Sequence, residues 1–278
     1  DDLPVPFGDV VSLMLAQLRR KNVKFRRVAA VSLAALLDAF PECCVYDMVA
    51  PTLLDFAALD GPRPDGKEDP IMQARAVACL AAAWPRAPPP VLGAAAGGDK
   101  KEGSSQEKIA TTVTAAAAMK NEVAFALHEA VRNVQRAHAE GLTRALSGAV
   151  QRKVWSVRVP IYHALAAVVG RSYTVPSSTA GGGGDGQGAA SSPPVLTGSL
   201  LSDVVHAVEL GAEDAKYSQV RAAAVSVVVA MTARKELRLA LTPHKEGLVN
   251  AARTAAEDPE PRVAVEGSKA AQNLSWWP

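Results

Sequence analysis

The chain of 278 residues carries 30 Lys and Arg against 28 Asp and Glu, a formal net charge of +2, with 49% hydrophobic but only 5% aromatic residues. That near-balance argues against a polyanionic partner on bulk charge, and no run of 18 or more apolar residues is present to cross a membrane. Three cysteines, with Cys43 and Cys44 adjacent and no CxxC or Cys/His spacing, support neither a zinc site nor a disulfide framework; idle thiols in a reducing compartment are the expectation.

In chain order, hydrophobic spacing of three and four predicts helices over 5–20 and 24–39, split by Lys21-Asn22 and closed by Pro41. Residues 46–59 and 71–84 form a second pair around a breaker cluster at 61–66. From 86 to 106 the composition turns to Pro, Gly, Ala and charge, including Pro88-Pro89-Pro90, which reads as a flexible linker. Residues 107–138 read as a third, degenerate unit, and 140–150 with 155–169 as a fourth pair. The Gly/Ser-rich stretch 172–198, with four successive glycines at 181–184, reads as a second flexible insertion that buries too little apolar surface to order itself. Residues 200–210 with 216–233, and 236–257 with 261–274, make the fifth and sixth pairs. Val225 to Val229 has strand propensity, but its flanks continue the helical period. The chain starts at Asp1 without an initiator Met and reads as a fragment of a longer protein, a single solenoid over 1–278.

One phrase recurs across these helices: an acidic pair, then an apolar-Arg step, then small apolar residues three and four apart. It reads Glu213-Asp214 before Val220-Arg221, Glu68-Asp69 before Ala74-Arg75, and Glu257-Asp258 before Pro261-Arg262-Val263. Phe25-Arg26 and Val157-Arg158 repeat the step without the acids. Anchors at Arg26, Arg75, Arg158, Arg221 and Ala264 lie about 49, 83, 63 and 43 residues apart, the second copy being also readable two residues earlier, from Met72, against roughly 40–47 for HEAT and armadillo units. The interval of 83 is taken as two periods with a hidden copy, and that of 63 as one period plus the Gly-rich insertion.

This pattern resembles the second helix of a HEAT repeat. The resemblance implies an all-α, right-handed α-solenoid of about six HEAT-like helix pairs, interrupted by two disordered Gly/Pro-rich insertions, with Asp and Arg side chains laddering from unit to unit. Arg152-Lys153-Val154-Trp155 is also similar to a Trp-containing helix start in the late repeats of the proteasome adaptor and scaffold family. That similarity implies a non-catalytic scaffold contacting the proteasome or other protein complexes, located in the cytoplasm, the nucleus or both. A nuclear-transport-receptor-like array and a tubulin-binding array are the alternatives.

No catalytic arrangement emerges. His128, His138, His163, His206 and His244 share no motif, and His128-Glu129 has Arg132 where a zinc-binding HExxH needs its second histidine. Neither a GxSxG elbow nor a P-loop is present, so no cofactor, metal or small-molecule substrate is expected. Six positive charges within 19–27 make Arg19, Arg20, Lys21, Lys24 and Arg27 a candidate contact with an acidic partner, nucleic acid being disfavoured, against the plainer reading of a solvated turn with Arg26 meeting a ladder acid. Lys153 and Trp155 form a second candidate contact, against simple packing at a helix start.

Overall fold

The computed structural model of the chain describes residues 6–40, 44–61, 69–86, 107–172, 195–275 and 277, with side chains of the long central helix described from 126 onward. Pro41, Cys43, the 62–66 part of the breaker cluster, most of the linker (87–106) and most of the Gly-rich insertion (173–194) lie outside the described residues. Helices α1 (Phe7–Leu18), α2 (Val23–Ala39), α3 (Tyr46–Ala57), α4 (Pro70–Ala83), α5 (Glu107–Ala149) and α6 (Trp155–Arg171) come first. They are followed by α7 (Gly198–Ala212), α8 (Ser218–Thr232), the short α9 (Arg238–Leu241), α10 (Lys245–Ala256) and α11 (Pro261–Ser275). No strand occurs among the described residues.

Local chemistry sets the helix starts. Asn22 and Asp69 cap α2 and α4 by accepting from the amides of Phe25 and Met72, and Thr197 caps α7 through Leu200. Pro70 and Pro261 occupy first-turn positions, where a missing N–H costs nothing.

The helices form two rows. In the first row, α1 touches α3, α5 touches α7 and α7 touches α10; in the second row, α2, α4, α6, α8 and α11 pack in succession. Each second-row helix also packs on its own first-row partner. One continuous core runs from Val11 to Trp277, so each pair shares its apolar seam with the next instead of closing on itself.

The described residues therefore hold five pairs, and two sequence expectations change. Nothing between His138 and Glu140 breaks the helical period, so the expected third unit and the first helix of the fourth fuse into the single helix α5. Because α4 packs directly on α6, the described residues of the 83-residue interval hold no further copy. The expected helix over 236–257 instead divides at Pro243, which lacks an N–H and sits in a 3₁₀ turn between α9 and α10.

Close packing needs small residues at defined points. The buried Cys79 thiol donates to the Ala30 carbonyl at 3.1 Å, drawing α4 onto α2, and burial pushes that thiol up to about 12. The hydroxyl of Tyr162 donates to the carbonyl of Ala207 at 2.8 Å, and Gly211 one turn later leaves room for the same ring. Gly267 lies against the Ala255–Ala256 backbone, where α11 crosses the end of α10.

Candidate partner-binding face

The edge of the solenoid where each pair turns from first to second helix carries a ladder. Arg27 of α2 grips Asp69 at 2.6 and 3.2 Å. Arg158 of α6 reaches Asp214 at 2.7 Å, and Arg221 of α8 holds Asp258 through two bonds of 2.7 and 3.0 Å. Paired donors facing a carboxylate are the stronger class of hydrogen bond. Burial pulls Asp69 and Asp214 upward, but hydrogen bonds from the partner arginine and from backbone amides outweigh it and hold both below the usual carboxylate value. In Asp258 the Arg221 hydrogen bond dominates and the direction is again downward.

The anchor positions need two corrections. Counted from the first residue of each second-row helix, the fourth residues are Arg26, Gln73, Arg158, Arg221 and Ala264. Buried Gln73 therefore takes the place of Arg75, because Pro70 starts α4 earlier than the apolar-Arg step suggests; this is the earlier of the two registers the sequence allowed, the one from Met72. In α2 it is Arg27, one residue on, that meets the ladder acid, not Arg26. Between α4 and α6 the turn offers Gln151 and Arg152 where the other turns supply an aspartate. Arg152 instead donates to the carbonyl of Ala58, the left-handed residue (φ 47°) that ends α3.

A second set of ties, missed in the sequence, runs along the opposite edge. Arg171 donates to the carbonyls of Ala81 and Trp84 at the end of α4, and Arg234 to those of Val169 and Ser172 at the end of α6. Each guanidinium thus satisfies the orphan carbonyls of the preceding second-row helix and sits at the negative end of its dipole. Burial, with Arg86 nearby, lowers Arg171 to about 10.

The residues singled out from sequence fall at two separate turns. At the α1–α2 turn, Arg19 donates to the Thr52 hydroxyl at 3.1 Å, Arg20 lies 5.9 Å above the Phe25 ring, and Lys21 and Lys24 are exposed. Arg27 belongs to the ladder. At the α5–α6 turn Lys153 is exposed, while Trp155 stacks on Tyr217 of the next turn with ring centroids 5.5 Å apart and planes 21° from parallel. Arg158 and Lys216 stand over the other aromatic, Tyr217, at 5.8 and 5.1 Å. The indole therefore braces two neighbouring turns above the Arg158–Asp214 rung.

Sequence reasoning did not find the groove on the outward side of the second row. It encloses about 800 Å³ between α6, α8 and α11. Its floor is Ala222, Ala223 and Ser226 of α8, with Val159 and His163 of α6 on one wall and Arg262, Val265 and Glu266 of α11 on the other. The fifth and ninth residues of each second-row helix form this outward stripe: Arg27 and Val31, Ala74 and Ala78, Val159 and His163, Ala222 and Ser226, Val265 and Lys269. Glu266 is held by Lys269 at 2.7 Å, and burial lowers His163 while Glu266 opposes it. Small polar residues within an apolar helix were the available signal, and they look like core until the helices are placed. Among the described residues no cluster of three or more His, Cys, Asp or Glu could hold a metal, and no helix is long and apolar enough to cross a membrane.

Two rows of paired helices, tied rung by rung to their neighbours, decide the architecture. The chain folds as an all-α solenoid of stacked helix pairs. No family model and no curated protein matches it. Among solved structures it is similar to a designed armadillo repeat protein at 14% identity and a TM-score of 0.38, over 95% of this chain and 99% of that one. A designed armadillo repeat protein in complex with a (KR)4 peptide gives 12% identity and a TM-score of 0.39 over 95% and 99% of the two chains. An engineered protein gives 13% and 0.38 over 95% and 98%.

Proposed function

We propose that this chain is a non-catalytic docking platform that holds an extended protein segment against the outward face of its second helix row. The groove between α6, α8 and α11 carries the reading: its small-residue floor admits a backbone and its mixed walls offer both apolar and charged contacts. Each pair adds one helix width to the same face, so a long partner gains contacts by extension along the array.

The resemblance at 152–158 makes proteasome subunits the first partners to seek, in the cytoplasm or the nucleus. Trp155 supports that only as a part-exposed brace, since Tyr217 covers one of its faces. The test is affinity purification with mass spectrometry of the wild-type chain beside Ser226→Trp, which fills the groove floor, and Val265→Lys, which charges an exposed wall residue. Partners lost from both variants, with unaltered melting, are the expected result. An identical partner set for all three chains removes the groove from the account, and recovery of tubulin or transport cargo in place of proteasome subunits replaces the named partner.

A further inference from the structure

Among the described residues, four joints link the five helix pairs, and three of them are tied along both edges. Arg27–Asp69, Arg158–Asp214 and Arg221–Asp258 close the turn edge at the α2–α4, α6–α8 and α8–α11 joints. On the opposite edge of these joints Arg86 meets Asp38 at 2.7 Å, Arg234 donates to the Val169 and Ser172 carbonyls, and Asn273 donates to the Thr232 hydroxyl at 3.3 Å.

The α4–α6 joint differs. At its turn edge Gln73 stands in the register from which Arg158 and Arg221 reach their acids, and the facing turn runs Gln151-Arg152-Lys153 without a carboxylate. Gln73 is buried, and its Nε2 has no acceptor among the described residues. Arg152 ties this edge through the Ala58 carbonyl, a neutral acceptor in place of a paired carboxylate. The opposite edge is pinned at several points. Arg171 donates to the Ala81 and Trp84 carbonyls, the Trp84 indole donates to the Ser172 hydroxyl at 3.2 Å, and Gln135 of α5 donates to the carbonyls of Pro85 and Arg171 at 2.9 and 3.0 Å. The first row meets on that same side. Tyr46, at the start of α3, packs edge-on against Trp84 with centroids 5.2 Å apart, and beside it Asp47 and His138 of α5 lie 2.6 Å apart.

We infer that the α4–α6 joint is a hinge. Two half-arrays, α1–α4 and α5–α11, rotate about the pinned edge and part at the turn edge, where the ladder lacks its rung. The apolar packing that remains between α4 and α6 has no preferred direction, so it tolerates a change of angle that a bidentate ion pair resists. Rotation there alters the curvature of the outward second-row face between Ala74 and Ala78 of α4 and Val159 and His163 of α6, while each half keeps its own ladder. The inference stands whether or not the groove on α6, α8 and α11 holds a partner.

The test places pairs of nitroxides on exposed turn residues of the full chain, carried on noncanonical residues so that the native cysteines stay in place, and reads their distance distributions by double electron–electron resonance. Lys24 with Lys153 spans the α4–α6 joint and one laddered joint, whereas Lys153 with Glu257 shares a label and spans two laddered joints. The first pair is expected to give the broader distribution, and Arg152→Ala should shift it to longer distances while leaving the second pair unmoved. Gln73→Arg with Gln151→Asp builds the missing rung and should narrow the first distribution to the width of the second. If that double variant fails to fold, Arg152→Ala, at a part-buried position, decides alone. Equal widths for the two pairs in the parent chain overturn the inference. So does a first distribution that Arg152→Ala leaves unchanged, or one that a folded double variant does not narrow.

Discussion

Arg221 of α8 and Asp258, two residues before Glu260 at the entry to α11, meet through two hydrogen bonds of 2.7 and 3.0 Å, with 18% and 10% of their side chains exposed. Asp258 also accepts from the Glu260 amide at 2.9 Å, so one carboxylate both shapes the turn and fastens one layer to the next. Asp258→Ala removes both functions and is expected to cost about 2 kcal/mol, the range for a largely desolvated hydrogen bond to a charged group. Asp258→Asn keeps an acceptor for the turn and should lose less. Urea unfolding of the two variants beside the parent chain checks the order.

The same carboxylates set a pH dependence. Asp69, Asp214 and Asp258 are all held below the ordinary value of 3.8 in the folded chain. The unfolded chain therefore takes up protons before the folded one as pH falls. Their stabilisation is complete above the ordinary value and drains away as pH drops through the lower folded values. Melting temperature should be nearly flat near neutrality and fall steeply below about pH 4, with a shallower fall in Asp258→Asn. A slope unchanged by that substitution would remove Asp258 from the acid response.

Glycines offer a test of packing with an internal control. A methyl on Gly211 would run into the Tyr162 hydroxyl and come within 2.7 Å of the Ala224 Cβ, and one on Gly267 would meet the Ala255–Ala256 backbone. Gly211→Ala should cost about 2 kcal/mol through overpacking, with Gly267→Ala costing at least as much because backbone yields less than a side chain. Gly141 in α5 has nothing within 4 Å of such a methyl. Gly141→Ala should therefore stabilise by about 0.5–1 kcal/mol, the helix-propensity gain alone. Thermal denaturation of the three variants decides this, and the opposite sign at Gly141 would contradict the open space seen there.

The repeat itself was readable from the sequence because two helix starts, at Arg158 and Arg221, keep the anchor at the same depth. It was blurred where local chemistry shifts the start. Pro70 begins α4 so that Gln73, and not Arg75, falls at the fourth position. The pair count came out too high because a long interval was read as a hidden repeat, whereas α4 and α6 stack directly across it. The carbonyl ties of Arg171 and Arg234 left no sequence trace, since an arginine at a helix end is ordinary until the carbonyls it meets on another helix are known. The groove was hidden for the same reason: its lining comes from three helices separated by dozens of residues.

The account stands most directly on nearest-neighbour stacking, and amide hydrogen exchange of Asp258→Ala tests it residue by residue. In a stack each layer relies on its neighbours, so protection should drop in α10 and α11, less in α8, and stay at parent levels in α2 and α4. A uniform loss of protection from α1 to α11 would mean one cooperative globule and contradict the account.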